Sequence, residues 1–80
     1  MKPKRLKKRI KAMEAEGWDF HEMYDGYRCR NFCHVFASRN GGKSPYRNKN
    51  YQWERAPTWD EAWSDVLKEV EKLMAHTWTI

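Results

Sequence analysis

A long amphipathic segment near the end of the chain constrains the fold most. Pro57 is followed by Thr58 and Glu61 in the T-x-x-E spacing of a capping box, which starts a helix. Beyond this start, apolar residues recur every three or four positions, as they do on one face of a helix: Trp59, Ala62, Trp63, Val66, Leu67, Val70, Leu73 and Met74. A face this wide is typical of a helix that covers a sheet. The sequence therefore predicts a C-terminal helix over about 58–76 and a tail, 76–80, that alternates like a short strand.

The first sixteen residues predict a second, strongly basic helix. Leu6, Ile10 and Met13 form a narrow apolar stripe, and Pro3 and Gly17 suit the start and the stop of a helix over about 4–16. The outer face of this helix carries Lys4, Lys7, Lys8 and Lys11. Because the basic residues come first and the acidic residues last, the charge order opposes the helix macrodipole. Packing or a bound anion must therefore hold this helix in place.

Between the two helices the residue pattern changes to a period of two, which predicts strands. The first strand covers about 18–24, Asp25-Gly26 is typical of a hairpin turn, and the second strand covers about 27–38. One face of the second strand carries Tyr27, Cys29, Cys33, Val35 and Ala37, and the other carries Arg28, Arg30, Phe32, His34 and Phe36. Because this second set changes from basic to aromatic, a bulge near Asn31 is expected.

A basic loop, expected to be mobile, follows over about 39–50, and a third strand follows over about 50–55. In this third strand, Tyr51 and Trp53 are predicted to face the core, and Gln52 and Glu54 to face outward. The order is therefore α-β-β-β-α, and the simplest burial places both helices on one face of a three-stranded antiparallel sheet. With 80 residues, the chain has room for a single α+β domain, 1–80.

Composition limits the cellular compartments in which we expect this protein. No apolar run approaches the roughly 18 residues of a membrane span, and residues 1–20 contain no apolar core of a secretory signal. Two Cys cannot form a disulfide framework, which favours a reducing, intracellular compartment. We therefore expect a cytoplasmic protein.

Four potential metal ligands occur close together in the sequence: His21, Cys29, Cys33 and His34. In an extended strand Cys29 and Cys33 would lie roughly 13 Å apart, too far to share a zinc ion or to form a disulfide. We therefore expect both thiols to stay reduced and metal-free, with no cofactor bound.

No catalytic signature is present either. The serines lack a nucleophile's context, and Gly41-Gly42-Lys43-Ser44 resembles only the end of a phosphate-binding loop, because Ala37 stands where the first glycine is required. The sequence therefore predicts a protein that is not an enzyme and has no catalytic residue.

Charge is the strongest functional signal. The chain has a formal net charge of +5, and the basic residues are concentrated in residues 1–16 and 28–55, whereas residues 58–76 are acidic. Basic segments interleaved with Tyr and Arg are typical of surfaces that bind a phosphate backbone. The predicted nucleic-acid-binding residues are Lys4, Lys7, Lys8, Lys11, Arg28, Arg30, Arg39, Lys43, Arg47 and Lys49.

Local motifs over residues 6–74 resemble those of small phage and prophage proteins described as an ABA sandwich. They are the helix stop at Gly17-Trp18, the aromatic hairpin with Asp25-Gly26, and the P-T-x-x-E-A start of the last helix at 57–62. The layout also resembles a double-stranded-RNA-binding domain. That family has a basic motif at the start of its second helix, where this chain is acidic and aromatic at 58–63, so its RNA contacts do not carry over to this helix.

The resemblance implies a small phage or prophage accessory protein that acts in the host cell. Combined with the charge pattern, it leads us to expect binding of nucleic acid without strong sequence specificity. The alternative is an inhibitor or modulator of an acidic host protein, for example a defence or replication factor. Such a protein would expose apolar anchors, such as Phe32, Phe36 or Trp78, inside a polar rim.

Overall fold

The computed structural model describes residues 2–27, 30–39 and 51–78, and the side chains of these residues except 27, 30, 31 and 76–78. A 3-10 turn at Lys4–Leu6 continues into α1 (Lys7–Ala15), and α2 covers Trp59–Trp78. Between them, β1 (Trp18–Tyr27), β2 (Arg30–Arg39) and β3 (Tyr51–Ala56) form an antiparallel sheet in the order β1-β2-β3. The predicted α+β fold, with both helices on one face of the sheet, is confirmed. Apart from Arg39, the predicted loop 39–50 lies outside the described residues.

The predicted helix signals act as expected at both helices. Gly17 has a φ of +96°, and its N–H donates to the carbonyl of Glu14 at 3.0 Å, so that α1 ends in a conformation that favours glycine. At α2, the N–H of Glu61 donates to Thr58 Oγ1 at 3.2 Å, which is the expected cap. The strand predicted for the tail is wrong, because α2 continues to Trp78. No Gly or Pro interrupts residues 59–78, so each further residue can extend the helix.

The sequence prediction for the hairpin turn is also wrong. Asp25 pairs with Phe32 and Gly26 pairs with Asn31 inside an uninterrupted β1–β2 ladder that ends at Tyr27 and Arg30. The connection between those two residues lies outside the described residues. A two-residue turn at 25–26 would pair Tyr24 with Tyr27, whereas the observed register pairs Tyr24 with Cys33 and includes all ten residues of each strand. The same continuous register excludes the bulge predicted near Asn31.

The core lies between the helices and one face of the sheet, which we call the inner face. In β2, Cys33, Val35 and Ala37 are buried there, as the alternation predicts. The 3-10 turn, the helices, β1 and β3 complete the cluster with Leu6, Ile10, Met13, Trp18, Ala56, Ala62, Trp63, Val66, Leu67 and Val70. The two apolar helical stripes are therefore buried against the same face of the sheet.

The predicted orientation of β3 is the reverse of the observed one. Trp53 pairs with Phe36, and their rings are parallel within 6° at a centroid distance of 6.0 Å, so both lie on the outer face, away from the helices. The ring of Tyr51 also contacts Phe36, at 6.4 Å. Gln52 and Glu54 therefore take the inner side, at the margin of the core. The register with β2, rather than the polarity of β3 alone, decides which residues face the helices.

Candidate functional site

The cations of α1 and of the 3-10 turn before it divide into two groups, and the arginines form the first. The guanidinium of Arg5 donates to both carboxylate oxygens of Asp60 from Nε at 2.9 Å, and Arg9 Nε donates to Glu71 at 3.1 Å. The hydrogen bond from Arg5 holds the pKa of the Asp60 carboxyl below its usual value. These ion pairs join the 3-10 turn and α1 to α2, so they and the buried apolar stripe hold the helix whose charge order opposes its dipole.

The second group is the set of four lysines predicted to bind phosphate. Lys4, Lys7, Lys8 and Lys11 are all exposed, and none forms an ion pair with a residue that the structure describes. Because Leu6, Ile10 and Met13 are buried, helical periodicity directs the four lysines away from the core. They extend over about 10 Å of helix axis at 1.5 Å per residue. We call this surface the lysine face.

A shallow depression adjoins the lysine face. It has a volume of about 320 Å³ and is lined by Lys2, Lys7, Ile10, Lys11 and Glu14. Glu14 lies 3.8 Å from the ammonium of Lys2, so one carboxylate partly offsets the positive charge at this end of the surface. The cationic area is therefore centred on the exposed lysines, on the side of α1 that faces away from α2.

The other predicted binding residues do not join the lysine face in the described part of the structure. Arg39 lies at the end of β2 with its guanidinium carbon 5.0 Å from the ring centroid of Trp18, a cation–π contact on the inner side of the sheet. Arg30 is described only as a backbone position that pairs with Tyr27. Arg28, Lys43, Arg47 and Lys49 lie outside the described residues. Their part in binding stays a prediction.

The outer face of the sheet carries a cluster of rings that the sequence analysis assigned only in part. Trp53 is 40% exposed and Met23 is 50% exposed, whereas His34, which pairs with Met23 and contacts the ring of Trp53, is only 5% exposed. We call the cluster the aromatic face and define it by Phe32, His34, Phe36, Tyr51 and Trp53. The sequence does contain a signal for this cluster. The small residues at 33, 35 and 37 suit the side of β2 onto which helices pack, so the aromatic residues at the alternate positions of β2 lie on the other side.

One hydrogen bond fixes the geometry of the aromatic face. Trp53 Nε1 donates to His34 Nδ1 at 3.1 Å, and the two rings are parallel within 8°. The indole N–H and the imidazole lone pair lie in the planes of their rings, so these rings lie side by side rather than face to face. An indole nitrogen can only donate, so a neutral His34 carries its proton on Nε2. That atom is buried and has no hydrogen-bond partner in the described part of the chain.

Charges on the outer face are separated between its two edges. The guanidinium carbon of Arg55 lies 5.2 Å from the ring centroid of Phe32, beside β3. Asp25, which pairs with Phe32, is exposed on β1. The β2–β3 side of the face therefore combines rings with a cation, and the β1 edge carries a carboxylate.

The thiol and imidazole groups considered as metal ligands are dispersed. Cys33 is buried on the inner face with its Sγ 3.9 Å from the carbonyl oxygen of Pro57, and burial raises the pKa of its thiol. His34 lies on the outer face, and Cys29 lies outside the described residues. Among the residues that the structure describes, no three His, Cys, Asp or Glu side chains come close enough to hold a metal ion.

Comparisons of the chain with models of known protein families, with curated proteins and with solved structures find no match. The resemblance to phage proteins therefore stays a prediction from local motifs. Neither helix, over the residues described, is long and apolar enough to cross a membrane.

Proposed function

We propose that this protein binds nucleic acid without strong sequence preference, through phosphate contacts made by the lysine face. The observation that supports the proposal is the division of cations on α1 and the 3-10 turn before it. Arg5 and Arg9 are paired with carboxylates of α2, whereas the four lysines are exposed and have no carboxylate partner in the described structure. Exposed, unneutralised lysines are the groups that displace counterions from a phosphate backbone.

The chemistry of this surface favours weak discrimination among sequences. Sequence readout uses side chains that form paired hydrogen bonds with base edges, most often Arg or Lys with guanine and Asn or Gln with adenine, and the lysine face contains no Arg, Asn or Gln. Lys7 and Lys8, like the other two lysines, present ammonium groups on flexible stems, which bind phosphate as point charges. We propose further, from the sequence resemblance alone, that this binding belongs to a non-enzymatic phage or prophage accessory protein in the host cytoplasm.

The test is a titration with mixed-sequence DNA and RNA at about 50 mM and 200 mM salt. If four to six phosphates are contacted, the slope of log K against log salt should be about −4 to −5 on a duplex and shallower on single strands. Reversing Lys7 and Lys8 to Glu should weaken binding to all sequences alike and flatten that slope.

The matched control reverses Lys68 and Lys72 on α2. Each reversal removes two charge units, so both double variants change the formal net charge from +5 to +1. If the lysine face makes the phosphate contacts, the α1 variant loses more affinity than the α2 variant. Equal losses would show that net charge alone drives binding. No binding at low salt up to roughly 100 μM would exclude the proposal, because non-specific binders reach about 10⁻⁴–10⁻⁶ M. Binding of an acidic host protein would then become the leading function.

A further inference from the structure

We propose that the aromatic face binds unpaired nucleobases of a single strand, with Trp53 as the main stacking ring and Arg55 as the neighbouring cation. This inference rests on the nucleic-acid binding proposed above, and it names single strands as a class of partner. It concerns a surface separate from the lysine face.

The indole of Trp53 is held in position before any partner arrives. The indole N–H donates to His34 Nδ1. The ring of Phe36, which pairs with Trp53 across the neighbouring strand, lies parallel to the indole within 6°. His34 is itself buried, so the ring that orients the indole has little freedom. A fixed ring loses little conformational entropy on binding, which favours a stacked ligand. Because every base has a π-face, stacking on such a ring tolerates any sequence.

The open area suits a base better than a second folded domain. Trp53 is 40% exposed, and Phe32, Phe36 and Tyr51 are half-buried. A whole aromatic side chain has a surface of about 150–250 Å². The exposed fractions of these four rings therefore add up to an area on the order of 300 Å². A stable interface between proteins takes about 800 Å² from each partner. The ring surface alone is therefore smaller than one side of a stable dimer interface, and it is large enough for one or two bases.

Charge on the outer face also favours an anionic strand over β2 and β3. Arg55 lies beside the rings, and a depression of about 260 Å³ lined by Trp53, Glu54 and Arg55 opens next to the indole. The exposed carboxylates of Asp19 and Asp25 lie on β1, at the far edge. A phosphate backbone would therefore follow the β3 side, where the cation is available. Aromatic residues on an open sheet face are a known means of stacking two or three bases.

The two proposed surfaces lie on opposite sides of the molecule. The lysine face points away from the core on the helical layer, whereas the aromatic face lies beyond the sheet. A short oligonucleotide contacts one surface at a time, so substitutions on one side should leave the other unaffected.

The experiment compares three ligands with about six nucleotides per strand: a mixed-sequence single strand, an abasic strand with the same backbone, and a duplex whose two strands are joined covalently at each end by a non-nucleotide linker so that it stays paired. Affinity is measured by fluorescence anisotropy at about 50 mM salt for the parent, Trp53→Leu and Trp53→Phe. The control is Tyr24→Leu, which removes a ring that is 57% exposed and contacts Trp59 of α2 rather than the aromatic face. Circular dichroism melting checks that each variant is folded.

Trp53→Leu should weaken binding of the base-containing single strand by about 5- to 150-fold, the range for loss of one stacked base. Trp53→Phe, which keeps a ring but loses the hydrogen bond to His34, should retain most of the affinity. The abasic strand and the duplex should bind all four proteins alike, and Tyr24→Leu should behave as the parent.

Other outcomes separate this inference from the proposed function. If the duplex binds but Trp53→Leu leaves single-strand affinity unchanged, the aromatic face does not bind bases and the lysine face remains the site. If no ligand binds, the proposed function fails and this inference fails with it. If sedimentation shows a dimer that Trp53→Leu converts to a monomer, the face is covered by a second copy and the inference is overturned.

Discussion

The two faces of the sheet are formed by the same three strands and are closed in different ways. On the inner face, Val35 and Ala37 are fully buried, because small and β-branched side chains let the helices approach the strands closely. On the outer face none of the residues that the structure describes forms a second layer over the sheet, and Phe36 and Trp53 partly cover one another and bury His34. Within the described ranges, the helices cover the inner face, whereas the outer face is covered by its own neighbouring rings. The inner face should therefore carry most of the stability, and the outer face should be free for binding.

The largest expected effect comes from removing a fully buried tryptophan of the inner face. Trp63 is 1% exposed, contacts the ring of Phe20, and donates from Nε1 to Glu22 at 2.7 Å. Trp63→Ala should lower the free energy of unfolding by about 3–5 kcal/mol, a large part of the stability of so small a domain. Chemical denaturation measures this loss. Melting within a degree or two of the parent would show that α2 does not cover the sheet.

A smaller effect is expected on the outer face. Trp53 keeps 40% of its surface exposed, so Trp53→Ala removes only part of a buried side chain, together with the hydrogen bond to His34. The free energy of unfolding should fall by about 1–2 kcal/mol, because full burial of a large apolar side chain stabilises by about 1.5–3 kcal/mol. The same denaturation experiment measures it. A loss equal to that of Trp63→Ala would contradict the difference between the faces.

The parts of this fold that local signals determine could be predicted from the sequence. The cap at Thr58, the stop at Gly17 and the two helical stripes each depend on residues within one or two turns of one another. The inner face of β2 was also predicted correctly, because Cys33, Val35 and Ala37 alternate over a long strand. The lysines of α1 were expected on its outer face, and they are exposed there.

The parts that depend on pairing between distant strands could not be predicted in this way. In β3, Tyr51 and Trp53 are the apolar residues, so alternation alone directs them inward, whereas pairing with Phe36 directs them outward. Asp25-Gly26 is a strong local turn signal, but it is overridden because a longer ladder pairs more backbone groups. The aromatic face therefore becomes visible only once the register is known.

The smallest expected effect concerns the one charged residue at the margin of the inner face in β3. Burial raises the pKa of Glu54, the hydrogen bond from Gln52 opposes that shift, and the carboxylates of Glu69 and Asp65 reinforce it. A carboxyl whose pKa is higher in the folded protein than in the unfolded chain stabilises the fold most at low pH. That contribution is lost as the pH rises through the folded-state pKa. At neutral pH, the ionised Glu54 therefore weakens the fold.

Glu54→Gln removes this charge and keeps an oxygen that can accept the hydrogen bond from Gln52. At pH 7 the variant should be more stable than the parent by a few tenths of a kcal/mol, because Glu54 is partly solvent-exposed and its interactions are screened. The difference should shrink as the pH falls toward 4, where the parent carboxyl becomes protonated. Urea denaturation of both proteins across this pH range measures the trend. Glu61→Gln, at an exposed position in the first turn of α2, is the control and should show no such gain. If Glu54→Gln were less stable than the parent at every pH, Glu54 would be a favourable member of the inner face. That result would mean that the helix-covered face tolerates a charge in β3 as well as the outer face does, which would contradict the expected difference between the two faces.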